Sequence, residues 1–99
     1  MNDPVLRRSL RSIAANVRSR RLALRLTQEE LSEGAAITYR YLQDVEAGRK
    51  NITIRTLVCL AKALRVAPIA LLRQARLPAP RPGRPSRRGA RVRGVASPR

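Results

Sequence analysis

The chain of 99 residues carries 22 lysines and arginines against 6 acids, a formal net charge of +16 that favours a polyanionic partner, nucleic acid before an anionic membrane surface. It has no histidine and a single cysteine, Cys59, which excludes an intrachain disulfide, a cysteine-cluster zinc site and histidine-based acid–base chemistry. No apolar run approaches the roughly 18 residues of a membrane span, and none follows Arg7, Arg8 and Arg11, so neither a membrane span nor a signal peptide is expected and a cytoplasmic location follows.

In chain order, Asp3 can cap a first helix and Pro4 suits its first position, because proline has no amide to lose there. From Val5 onward, Leu6, Leu10, Ile13, Val17 and Leu24 recur at helical spacing. Thr27 then opens a capping box with Glu30, and the acids of that first turn suit the positive end of a helix over 28–34. Gly34-Ala35-Ala36-Ile37 reads as a turn. Thr38 caps a helix over about 39–47, and Gly48 can end it in the left-handed conformation. Thr53 caps another helix, about 54–65, with Leu57, Leu60, Ala61 and Leu64 on its apolar face. Pro68 starts a last helix that runs to about 74. There is no strand signal and no internal repeat. Residues 76–99 hold eight arginines, five prolines, three glycines and no acid, a composition that forms neither helix nor packed strand. They are expected to be a disordered, Arg/Pro-rich basic tail. The apolar content of about 5–72 supports only a small core, which makes an oligomer a fair expectation.

Two short helices joined by a tight turn, the second polar on one face, form a helix-turn-helix pattern. On a helix over 39–47, Tyr39, Arg40, Gln43, Asp44 and Ala47 share one face, while Leu42 and Val45 lie on the other. A major groove admits such a helix, with the residues near its start reaching base edges. Arginine can read guanine bidentately, which makes Arg40 the leading candidate for a base contact, with a phosphate contact or a solvated side chain as the plain alternative.

The stretch LTQEELSEGAAITYRYLQDVEAGRKNITIRTLVCLAKALRVAPIALL resembles the phage-repressor/Cro-like (XRE) helix-turn-helix domains. The likeness rests on LTQEEL at 26–31, VEAGR at 45–49, and the TLVCLAKALRV run with its trailing proline and leucines. The NITI run at 51–54 is similar to the controller proteins of restriction-modification systems. The resemblance implies an all-α, five-helix phage-repressor-like domain over 17–72, with 1–16 extending the first helix and 76–99 as the tail. It implies a homodimer on double-stranded DNA. It also implies that Gln28 bonds the DNA backbone and braces the recognition helix. By the same likeness, Thr38, Tyr39, Arg40, Gln43 and Asp44 read bases and phosphates, Arg49 and Lys50 touch phosphate, and Arg21 and Glu46 form a buried ion pair.

Two departures from the family pattern stand out. The turn position that is usually glycine is Ala36, where a positive φ would cost about 1 kcal/mol or somewhat more unless the turn re-forms. Asp44 places a carboxylate on the reading face, either to accept from a cytosine amino group or to pair with Arg40 four residues before it. Cys59 is expected to be a buried structural thiol. The arginines of the first helix are expected to be mostly solvated, a few touching phosphate. Val66, Ile69, Leu71 and Leu72 are expected to exceed the needs of the core and to form dimer contacts.

No catalytic group, metal site or cofactor is indicated. The resulting reading is a sequence-specific, bacterial or phage-type transcriptional regulator that binds a two-fold symmetric operator as a homodimer. Two rivals stand beside it. One is an antitoxin-type module whose tail wraps a protein partner, a toxin or a larger regulator; the other is a non-specific nucleic-acid-binding protein held by charge.

Overall fold

The computed structural model describes residues 3–75. Among them the fold is all-helical, with five helices: α1 Pro4–Ala23, α2 Gln28–Gly34, α3 Tyr39–Glu46, α4 Ile54–Leu64 and α5 Pro68–Leu72. The tail expected over 76–99 lies outside the described residues.

Each of the first four helices begins at a short side chain whose oxygen accepts an otherwise unpaired amide. Asp3 accepts from Val5, Thr27 from Glu30, Thr38 from Tyr41 and Thr53 from Thr56. Thr27 and Glu30 complete a reciprocal capping box, with the Glu30 carboxylate accepting from the Thr27 amide at 2.9 Å. The same four helices end alike. A residue in the left-handed region follows the last turn: Arg25 (φ 59), Ala36 (φ 56), Gly48 (φ 73) and Arg65 (φ 61). Its amide and the next one reach back to two terminal carbonyls, as in Ala36 to Glu33 at 3.2 Å and Ile37 to Ser32 at 3.0 Å. Ala36 therefore does adopt the positive φ that the sequence makes costly, and the turn is not re-formed around it.

The core joins Ile13 and Val17 of α1, Leu31 and Ala35 at α2, Leu42 and Val45 of α3, Leu57, Leu60, Ala61 and Leu64 of α4, and Leu71 of α5. Two expectations need correcting here. Leu71 is buried in the core and Val66 packs against it, because α5 folds back across α1; of the four residues expected at a dimer contact, only Ile69 and Leu72 are exposed. Cys59 is half-buried against the core rather than fully enclosed.

The last helix is also shorter than its sequence pattern. Asn16 explains this: its side-chain amide donates to the carbonyls of Leu71, at 3.0 Å, and Arg73, at 2.8 Å. Those carbonyls are bound to α1, and Arg73 itself is extended (φ −61, ψ 143). Ser12, one turn before Asn16, accepts the amide of Ala75 at 3.2 Å. Arg20 donates to the carbonyl of Leu64 at 2.9 Å and so closes the end of α4. One long helix thereby fixes the C-terminal ends of two others.

Candidate nucleic-acid interface

The position of α3 is set by a polar network at its far end. Arg21 donates two bonds to the Glu46 carboxylate, Nε to Oε2 at 2.7 Å and Nη2 to Oε1 at 3.0 Å. A third bond runs from Arg21 Nη1 to the carbonyl of Leu26 at 2.9 Å, and Gln28 Nε2 adds one to Glu46 Oε1 at 3.0 Å. The Arg21 and Glu46 side chains are 10% and 3% exposed, so both charges are out of water. The fork geometry and the extra partners offset that desolvation. Removing one partner of such a pair costs roughly 3–5 kcal/mol, since the other charge stays buried. The network ties α1, the turn after it, the first residue of α2 and the last residue of α3 into one rigid frame. In this frame Gln28 is bonded to the end of α3.

Leu42 and Val45 anchor the inner face of α3, which leaves the opposite face to solvent. Thr38 and Tyr39 are exposed at its start, followed by Arg40, whose side chain is 81% exposed. Gln43 and Asp44 are half-buried. Asp44 stands between two arginines: its carboxylate lies 3.6 Å from Arg40 Nε and 3.1 Å from Arg49 Nη2. The two pairs hold the guanidinium groups over one carboxylate, so Asp44 is engaged as an orienting group. At this exposure such pairs add little stability, and their effect is on side-chain direction. Lys50 sits with Nζ 4.9 Å from the ring centroid of Tyr41, a cation–π contact that holds the loop after α3 against the helix.

All ten residues singled out from the sequence therefore lie on α3, at its two ends, or in the network that holds it. Sequence reasoning missed Ser12, Asn16 and Arg20, which hold the framework behind the site. The available signal was the pair Ser12 and Asn16, neutral polar residues four apart and in line with the apolar stripe of α1, whereas Ser9 and Ser19 lie on its exposed side. Reasoning from sequence also missed that Arg11 lies against the loop after α3: the Cβ direction of Gly48 points to Arg11 Cγ at 3.5 Å. Among the described residues no cluster of acidic or cysteine side chains could hold a metal ion, and no helix is long and apolar enough to cross a membrane.

Comparison with known proteins places this arrangement. The helix-turn-helix family model HTH_3 matches residues 17–71. The control protein C.SmaI of Serratia marcescens is 43% identical over 63 residues, which are 63% of this chain and 75% of that protein. The crystal structure of the restriction-modification controller protein C.AhdI from Aeromonas hydrophila superposes with a TM-score of 0.61 at 31% identity, covering 63% of this chain and 94% of that one. The clp gene regulator ClgR from Corynebacterium glutamicum gives a TM-score of 0.62 at 30% identity, covering 70% of each chain.

Proposed function

The chain belongs to the HTH_3 helix-turn-helix family of DNA-binding transcriptional regulators, and from that premise we propose that it acts as a homodimer on a two-fold symmetric operator. The observation that carries the reading is the outer face of α3. On it Tyr39 and Arg40 are exposed and Gln43 is half-buried, a polar face that suits a major groove, while Leu42, Val45 and the Arg21–Glu46 pair hold the helix behind them. In this reading Arg40 reads a guanine edge, Gln43 and Tyr39 read neighbouring bases, and Asp44 aims Arg40. Thr38, Arg49 and Lys50 contact phosphate and set the register. Gln28 braces α3 through Glu46 and meets the DNA backbone at the start of α2. The likeness to a control protein and to a restriction-modification controller supports regulation of a restriction-modification operon.

Selection of bound sites from random duplex DNA with the full chain tests this. The expected outcome is one consensus made of two inverted half-sites, centred about 34–36 Å or a multiple of that apart. An asymmetric single site would overturn the dimer reading, and enrichment of no sequence at all would overturn specific regulation.

A further inference from the structure

The HTH_3 match begins at residue 17, yet α1 begins at Pro4, so more than half of α1 stands before the matched region. That half does not project into solvent as a spare turn. Leu10, Ile13 and Ala14 are buried along it, which fixes its direction relative to α3. It carries Arg7, Arg8 and Arg11, and the chain has no acid between Asp3 and Glu29.

The arginines of α1 divide by what they touch. Arg20 and Arg21 are spent inside the protein, on the Leu64 carbonyl and on Glu46. Arg7, Arg11 and Arg18 are exposed, and none takes part in an ion pair among the described residues. At 3.6 residues per turn, these three fall within about 40° of one another around the axis, a row about 16 Å long. The row is placed as well as aligned. Arg11 lies against Gly48, next to Arg49 and Lys50, so the row continues the positive charge of the loop after α3. Among the described residues no carboxylate pairs with the row itself: Asp44 is engaged by Arg40 and Arg49, and Glu46 by Arg21.

We infer that Arg7, Arg11 and Arg18 form a second phosphate-binding track, one that carries the DNA contact past the helix-turn-helix and along the backbone flanking the half-site. The inference rests on the reading of α3 as the DNA-facing helix. The occupant is the sugar–phosphate backbone of the same duplex: the row is a line of guanidinium donor forks suited to phosphate, with no aromatic side chain among them, and it is continuous with the loop after α3. DNA presents one phosphate per about 3.4 Å of each strand, so a row of this length spans several. The contact is blind to sequence and adds affinity without altering the preferred site.

The test compares the full chain with two triple variants on a random-sequence duplex and on the site enriched by selection. One variant is Arg7→Gln, Arg11→Gln, Arg18→Gln. The other, Lys62→Gln, Arg65→Gln, Arg73→Gln, removes the same charge from exposed positions on α4 and after α4 and α5. The slope of log K against log salt reports phosphates neutralised, at about 0.9 per contact. The row variant is expected to lose roughly two to three units of slope on both duplexes and to select the same site, and the control less than one. Lysine at all three row positions is expected to restore the slope. An unchanged slope in the row variant would overturn the track while leaving the function of α3 intact. Equal losses in both triples would also overturn it, since the attraction would then belong to overall charge. A shifted consensus in the row variant would overturn the sequence-blind role. Absence of site preference in the unaltered chain would overturn the reading of α3 instead, whatever the row variant does to the slope.

Discussion

Arg40 and Ala36 bear on the proposed interface in two ways, one through a side chain and one through the backbone. Arg40 is exposed, aimed by Asp44, and one residue into α3. Replacing it with alanine removes a donor fork and leaves the fold alone, so binding to the selected site should weaken by about 1–3 kcal/mol with relaxed preference at one base position. A competition series against single-base variants of the site checks this; a loss equal across all of them would make Arg40 a phosphate contact. Ala36 acts through the backbone. Its φ of 56 places Cβ against the following carbonyl in the turn that sets the angle between α2 and α3. The left-handed conformation costs an L-residue roughly 1–2 kcal/mol, and glycine gives back about 0.4–1 kcal/mol of that through a freer unfolded chain. Ala36→Gly should therefore stabilise the protein by on the order of 0.5–1 kcal/mol, read as a raised unfolding midpoint in denaturant. A lowered midpoint would show that the alanine methyl makes a contact worth more than the strain.

Among the elements, the helices written by local chemistry were legible and those shaped by distant partners were not. Thr27, Thr38 and Thr53 announce three helix starts because a cap depends on neighbours only two or three residues away. The face of α3 was legible for the same reason, since Leu42 and Val45 mark its inner side by period alone. Gly48 announced a left-handed end, but Arg25 and Arg65 occupy the same conformation without a glycine to signal it. The end of α5 was not legible at all. It depends on Asn16, which lies 55 residues before Leu71 in the chain, and no local pattern carries that pairing. Asn16→Ala is expected to cost about 1–2 kcal/mol, below the full penalty of two orphaned carbonyls because water can reach that of Arg73. The loss should concentrate in α5, seen as faster amide hydrogen exchange there while α3 and α4 keep their protection. Uniform acceleration across all helices would show that α5 unfolds only with the whole domain.

At the scale of the molecule, the core is small and its last helix leaves apolar surface outside. Ile69 is 65% exposed and Leu72 51%, on a helix of five residues whose only fully buried member is Leu71. A domain of this size buries a limited fraction of its surface, so an interface formed there would add stability as well as symmetry. Two copies meeting through α5 would place two α3 helices about a two-fold axis, and each half-site would then be bound with the other already held nearby. The double variant Ile69→Lys, Leu72→Lys puts like charges on both sides of that axis. It is expected to sediment as a monomer at micromolar concentration, where the unaltered chain is expected to sediment as a dimer, and to lose affinity for a two-half-site duplex far more than for a single half-site. Leu22→Lys, at an exposed leucine of α1, serves as the control and should leave the dimer in place. A monomeric unaltered chain, both free and on DNA, would overturn the dimer. A dimer that survives both lysines would move the interface away from α5, and the operator's symmetry would then have to be built from another face of the bundle.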